Sequence, residues 1–442
     1  MYRSHWRRFF VPLSHAGIVA LVATGWACGR SGATARTTID FWAFGREGEV
    51  VQQLIPEFER ANPGIHVRVQ EIPWTAAHEK LLTAYVGRTL PDIAQLGNTW
   101  IPEFTALGAL HPLDSLMDGS TAVRPGDFFP GIWATNVIDG HVYGIPWYVD
   151  TRVLFYRTDI LARAGYDSPP RTWTEWRKAM LAIQRITSHP VSHAIFLPTD
   201  EWAQPVILGM QAGSSLLRDG GRYGDFEGPA FRKAFEFYIG MFRDSLAPVI
   251  GNAQMANLYQ EFARGTFAMY ITGPWNIGEF KRRLPRYMEG RWSTAPLPSP
   301  DSLYPGTSLA GGSSLVLFNS SRHSAEAWKL VEYLTSARTE VEFYKASGDL
   351  PPRPAAWRDG SLAQNRYARA FYTQLQNVTP APKVPEWEQI TMQVINRAEA
   401  AIRGQASIAD ALAGLDSDVN AILEKRRWML DRRGVRERGT HR

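Results

Sequence analysis

A single cysteine, Cys28, stands in a chain of 442 residues. One thiol excludes an intramolecular disulfide framework and any metal site built on several cysteines. Long apolar runs are missing as well. The stretch from Ala16 to Ala27 is twelve residues, against the ~20 that a membrane-spanning helix needs. There is no Gly-x-Ser-x-Gly elbow, no His-Glu-x-x-His helix and no phosphate-cradling P-loop, and the ten histidines are scattered. Tandem repeats and low-complexity tracts are absent from the sequence. A basic body is lacking too, although the formal net charge is +5. Arg3, Arg7 and Arg8 put three positive charges before residue 10, and the tail from Glu424 carries eight Lys or Arg against three acids. The central chain is therefore left at about −3, with no Lys/Arg stripe, which argues against a nucleic-acid partner.

What is present suits a soluble globular protein: 45% apolar and 21% charged residues, in a chain long enough for two hydrophobic cores. Aromatics reach 12%, including 16 Trp. Tryptophan is placed where a large flat surface must be buried or presented. A Trp-rich core accounts for most of them, so only those placed by a motif are candidates for a site.

The N-terminus predicts export. The basic Arg3, Arg7 and Arg8 precede the apolar run that ends at Cys28, and a small, polar stretch follows it. Residues 1–28 are expected to be a signal peptide and 29–37 a tether. A sole cysteine ending such a signal resembles a bacterial lipobox, with Ala27 fitting the small-residue requirement and Gly25-Trp26 departing from the usual pattern. Lipidation of Cys28, and with it a membrane anchor, is the expectation; simple cleavage nearby is the alternative. The Arg7-Arg8-Phe9-Phe10 run faintly resembles a twin-arginine signal, but a basic leader alone explains it.

From Thr38 strands and helices alternate. Thr38 to Ala43 is β-prone, and Glu49 to Ala61 places Val50, Leu54, Phe58 and Ala61 on one helical face. Pro56 should kink or break that helix. Asn62-Pro63-Gly64 ends it, Ile65, Val67 and Val69 alternate as a half-buried strand, Ala76 to Val86 reads as a helix, and Asp92 to Leu96 as a buried strand. This β-α-β-α-β order predicts an α/β protein with a mainly parallel sheet. Further on, Thr172-Trp173-Thr174-Glu175 matches a capping box opening a helix. Extended, turn-rich runs recur at His141–Asp150, Ser308–Ser314 and Leu350–Pro354.

These segments, in this order, resemble the extracellular solute-binding proteins of carbohydrate ABC importers, the group that includes maltose- and trehalose-binding proteins. The resemblance spans nearly the whole chain after the signal. It is carried by Ile39-Asp40-Phe41-Trp42, Pro91-Asp92-Ile93, Tyr143-Gly144-Ile145-Pro146-Trp147-Tyr148-Val149-Asp150, Gly273-Pro274-Trp275 and Ala327-Trp328-Lys329-Leu330-Val331-Glu332-Tyr333-Leu334, among others. It implies a two-lobed periplasmic-binding-protein fold, type II-like, with the ligand in the cleft between lobes. One lobe would take residues 38–147 plus 315–355 and the other 148–312 plus 356–430, leaving 431–442 as a basic tail. The three extended runs are the expected crossings, a number that suits a hinge with one main bend. A sugar, a di- or oligosaccharide in expectation, would be captured by closure and passed to membrane permease subunits. No cofactor, no metal and no catalysis are expected, and the chain should act as a monomer.

A pyranose has apolar C–H faces and a rim of hydroxyls, so its site needs aromatic platforms and short polar groups. Trp42 and Glu47 lie at the first strand-to-helix junction, where open α/β sheets receive ligands. Glu47 or Glu49 would touch ligand, or else complement the helix dipole. Asn98 and Trp100 follow the Asp92–Leu96 strand in the same way; relatives often carry Asp at the place of Asn98. Trp147, Tyr148 and Asp150 lie on the first crossing, and alignment with the family favours Tyr148 over Trp147. Trp275 follows Gly273-Pro274, a turn that presents a ring outward, and the family uses this position as a stacking platform. Asn276 is secondary to it. Gly312 and Ser313, on the second crossing, let backbone amides approach a ligand or simply supply hinge flexibility. Arg353 and Trp387 complete the set, whereas Trp74 and Trp202 are expected nearer the core.

Two alternatives remain open at this stage. An exported carbohydrate-active enzyme would need two carboxylates about 5–9.5 Å apart, and Asp200-Glu201 or Glu386/Glu388 could supply acids. The same fold could instead bind a polyamine, a metal ion or glycerol phosphate. A polyamine would call for several carboxylates beside the aromatics, and a phosphate for Arg or Lys.

Overall fold

Thr37–Phe44 forms strand β1, with Ile39, Phe41 and Ala43 buried at alternate positions. The computed structural model describes residues 36–186, 192–301 and 303–440, with side chains through residue 432. The expected signal, Cys28 and the tether as far as residue 35 lie outside the described residues.

Helix α1 (Gly45–Ala61) starts four residues earlier than its periodicity suggests. Gly45 makes this possible: its φ is +53°, and a Cβ there would stand 2.7 Å from the Trp74 ring. The helix also continues without a break through Pro56. Pro56 and Gln52 are both exposed, so the carbonyl that loses its N–H partner faces water. Strand β2 (Ile65–Ile72), helix α2 (Trp74–Gly87) and strand β3 (Ile93–Gly97) follow. The parallel order β2-β1-β3 realises the βαβαβ reading.

The sheet is nevertheless mixed. The ten-residue strand Ser308–Leu317 runs antiparallel to β3 and, on its other side, antiparallel to Ile145–Asp150. A short strand, Val378–Pro380, pairs in parallel with its first residues and completes six strands. A second sheet of four strands is ordered Trp292–Ala295, Val153–Arg157, Phe267–Thr272, His193–Phe196. Its core on one side gathers Trp173, Trp176, Phe235, Tyr238 and Trp387 from the surrounding helices. On the other side Phe155, Phe262, Phe280, Trp292 and Phe371 pack together. Two sheets with separate cores give the α/β, two-lobed architecture.

The chain passes between the sheets in segments that lie side by side. Val149 pairs with Gly312 on one side and with Leu350 on the other, its N–H donating to the Leu350 carbonyl at 2.9 Å. Where Ser308–Leu317 passes Ile145–Asp150 the backbones approach so closely that Gly312 has φ +134°, and a Cβ there would sit 2.1 Å from the Tyr148 carbonyl oxygen.

Phe155 is fully buried at the centre of the second sheet, stacked on Trp292 at 5.9 Å and tilted against Phe280 at 5.0 Å. Phe155→Ala is expected to cost about 3–5 kcal/mol, because the surrounding rings cannot collapse into the space. A lowered urea midpoint checks this.

A cleft at the strand ends

The carboxyl ends of β1 and β3 point at a cavity of about 500 Å³. The first turn of α1 brings Arg46 and Glu47 to its wall, and the short turn after β3 brings Asn98, Thr99 and Trp100. Tyr148, Asp150, Gly312 and Ser313 come from the strands passing between the sheets. Trp275 arrives from the second sheet, on the helix that follows Phe267–Thr272, and Trp202 stands at the head of the helix Ala203–Gln211. A smaller cavity of about 240 Å³, lined by Trp357, Arg358 and Tyr372, shares no wall residue with this one.

Tyr148 is the organising group. Its hydroxyl accepts from Gln95 Nε2 at 2.9 Å and from Ser313 Oγ at 3.0 Å. The Gln95 carbonyl oxygen is itself fixed by the Phe44 N–H at 2.7 Å, so the amide can orient only one way. The phenol proton is left to donate toward Glu47. Burial, then the charges of Glu47 and Asp349, push the Tyr148 hydroxyl well above its ordinary pKa and keep it neutral.

Asn98 is 6% exposed; its Oδ1 accepts from Ser314 Oγ at 3.0 Å while its Nδ2 has no protein partner. A buried donor left open on a cavity wall is a group prepared for a ligand acceptor. Trp100 serves both as anchor and wall: it packs on Trp74 at 5.8 Å and His78 at 5.0 Å and still lines the cavity. Trp74 Nε1 donates to Glu47 at 3.3 Å, which turns Glu47 inward while Glu49 stays exposed. Thr99 Oγ1 donates to Glu388 at 2.8 Å, joining the β3 turn to the helix Trp387–Ile402.

On the facing wall Trp275 is 42% exposed, and the Arg152 guanidinium lies 4.7 Å from its ring centroid. Gly273 is required here, because a Cβ would fall inside the Trp275 ring. Arg152 also ion-pairs with Asp150. Burial raises the Asp150 pKa despite this partner, whose charge acts the other way. Glu279, at the cavity edge, pairs with Arg282 and Arg283.

Besides Glu49, five sequence candidates lie elsewhere. Trp42 is half-buried on β1 with Lys80 Nζ 5.0 Å from its ring, outside the cavity wall. Trp147 is core, 4.5 Å from Phe343. Asn276 is buried with its amide spent on Thr272 Oγ1 at 2.7 Å and its carbonyl on the Tyr259 hydroxyl at 3.0 Å. Arg353 is buried over Phe128, donating to Asp127 and to the Ala122 carbonyl, each at 2.9 Å. Trp387 is 1% exposed and meets Trp202 edge-on from behind, 5.7 Å away. In the other direction, Trp74 and Trp202 line the cavity instead of the core, and Arg46, Arg152 and Asp349 join them unforeseen. Gln95, a fully buried amide inside an apolar strand, was the one missed residue with a sequence signal. Among the described residues no three His, Cys, Asp or Glu are grouped as a metal would require.

Two packed lobes with a concave, aromatic-walled site at their strand ends define a solute-binding protein. The chain matches the bacterial extracellular solute-binding protein family over residues 44–341 and belongs to it. It is similar to the solved sugar-binding protein MalE of the phytopathogen Xanthomonas citri: 49% identity, TM-score 0.86, covering 89% of this chain and 99% of that one. A solute-binding protein of Thermotoga lettingae, solved with α-D-tagatose, is 26% identical at TM-score 0.74, covering 88% of this chain and all of that one. The diacetylchitobiose-binding protein of Streptomyces coelicolor is 26% identical over 87% of this chain and 90% of its own length.

Gly312→Ala is expected to destabilise the protein by at least about 1–3 kcal/mol from backbone strain alone, and to push Tyr148 off Gln95. A lower thermal midpoint, absent in a Gly126→Ala control where a Cβ meets open space, checks this.

Proposed function

We propose that the chain captures a neutral sugar, a di- or oligosaccharide, in this cleft and hands it to the membrane permease of an ABC importer after lobe closure. One observation carries the reading. Tryptophans 74 and 100 stand on the wall built by the first sheet, and tryptophans 202 and 275 on the wall built by the second, with the open Asn98 donor between them. Flat apolar faces on both sides and fixed polar groups between them suit pyranose rings, and about 500 Å³ lies in the usual range of small-ligand sites, ~300–1,000 Å³. The Xanthomonas relative is a sugar-binding protein and the Streptomyces relative a diacetylchitobiose-binding protein, which point the same way.

Closure follows if the ligand touches both walls, since only differential affinity for the closed state shifts the equilibrium. The lobe limits would be 38–147 plus 315–355 against 148–312 plus 356–430. Export, an anchor on Cys28 and a periplasmic or cell-surface location belong to the same proposal, as does action as a monomer by binding alone. Two of the four acids that line the cleft are already matched, Asp150 by Arg152 and Glu279 by Arg282 and Arg283, which argues against a polyamine.

A thermal-shift panel of mono-, di- and oligosaccharides tests this. A sugar present at a hundredfold its Kd should stabilise the protein by about 2.7 kcal/mol. Trp275→Ala should weaken that sugar at least about tenfold, equivalent to ~1.4 kcal/mol, by calorimetry. A shift with polyamines or glycerol phosphate and none with sugars would overturn the ligand class. Turnover of a glycoside would overturn the binding role.

A further inference from the structure

Two carboxyls of the cleft make no ion pair among the described residues. Glu47 and Asp349 are each 9% exposed, and both line the cavity. They arrive from distant parts of the chain. Glu47 sits in the first turn of α1, and Asp349 lies two residues past the helix Ala337–Ser347, its N–H held by Ser347 Oγ at 3.0 Å. Arg46 Nη2 donates to the Ala346 carbonyl at 3.1 Å and so draws the two segments together.

We propose that Glu47 and Asp349 hold one proton between them in the ligand-free cleft, and that the protonated carboxyl donates to an acceptor-only oxygen of the bound sugar, a ring or glycosidic oxygen. The inference rests on the sugar reading above.

The charged and titratable groups facing the pair are few. Arg46 comes from α1, and Tyr148 and Asp150 from the strand Ile145–Asp150; the Asp150 charge is already matched by Arg152. Trp74 adds one N–H to Glu47. Two negative charges buried in the wall of one cavity repel, and one proton relieves both the repulsion and the burial. Burial, then the Glu47 charge, raises Asp349 to about 7, and burial raises Glu47. Hydroxyl groups of a sugar can satisfy a carboxylate, but its ring and bridge oxygens accept only. A carboxylate facing such an oxygen would leave it unpaired, whereas a protonated carboxyl on this wall can serve it, as the open Asn98 Nδ2 can.

The sign of the pH dependence follows. If the bound state keeps the proton, the pair's pKa is higher bound than free. Affinity is then full below about 7 and falls toward tenfold per pH unit above it. Asp349→Asn supplies a fixed N–H donor and should flatten this profile between pH 6 and 8.5, while Asp349→Ala should bind weakly throughout. A wild-type affinity that stays level over that range overturns the inference and leaves the sugar reading intact.

A second measurement needs no ligand. A carboxyl whose folded pKa is raised above its unfolded value gives stability that is lost as pH climbs toward the folded value. The melting midpoint of Asp349→Asn should therefore gain on wild type from pH 4 to about 7 and hold a constant lead above it. A lead that is the same at pH 5 and pH 8 overturns the shared proton. If no sugar in the panel binds at any pH, donation to a sugar is overturned with the sugar reading, and the melting comparison still decides the proton.

Discussion

The Tyr148 hydroxyl is the point on which the cleft depends. It receives one hydrogen bond from β3, through Gln95, and another from the strand Ser308–Leu317, through Ser313. Three neighbouring strands are thereby pinned at one level, and the pin fixes their register. A slip of one residue would turn Ser313 to the opposite face and leave two buried polar groups unpaired. Because Gln95 is itself held by the Phe44 N–H, the network ends at the first residue before α1. The position of Glu47 is therefore set by the same chain of bonds that holds the crossing strands together.

Tryptophan divides between two duties. Trp147, Trp176 and Trp387 are fully buried and fill core volume. Trp74, Trp100, Trp202 and Trp275 keep part of a face on the cavity. The two sets touch: Trp387 backs Trp202, and the Trp74–Trp100 pair rests on Phe44. Wall rings supported from behind by core rings lose little freedom when a ligand stacks on them, which favours binding.

Much of this was legible in the sequence. The β-α-β-α-β start, the crossing runs and the Gly273-Pro274-Trp275 turn have local signals, and glycine or proline fixes the backbone at each. Failures came where the deciding partner is remote in the chain. Arg353 looked free to meet a ligand, but its guanidinium is claimed by Asp127, 226 residues away, within a buried group that also includes Glu340. Asp349 joins Glu47 only through the fold, and nothing next to either residue announces the other. Trp74 and Trp387 exchanged places between core and cavity because an aromatic at a helix start can turn either way until its neighbours are known. Pro56 leaves its helix unbroken for a simpler reason: its cost depends on whether the orphaned carbonyl meets water, and here it does.

The pairing at Val149 sets how the two lobes can move. Its flanking strand and the Leu350 segment are bonded to it on opposite sides, so the segments that link the lobes form one ribbon rather than separate threads. Sliding one lobe past the other would break rungs of that ribbon, whereas flexing it as a leaf spring breaks none. Such a joint has a single soft direction. On the proposed closure, the closed chamber would have one shape, and a solute would be sorted by its fit to a fixed mould and not by the compliance of the jaws.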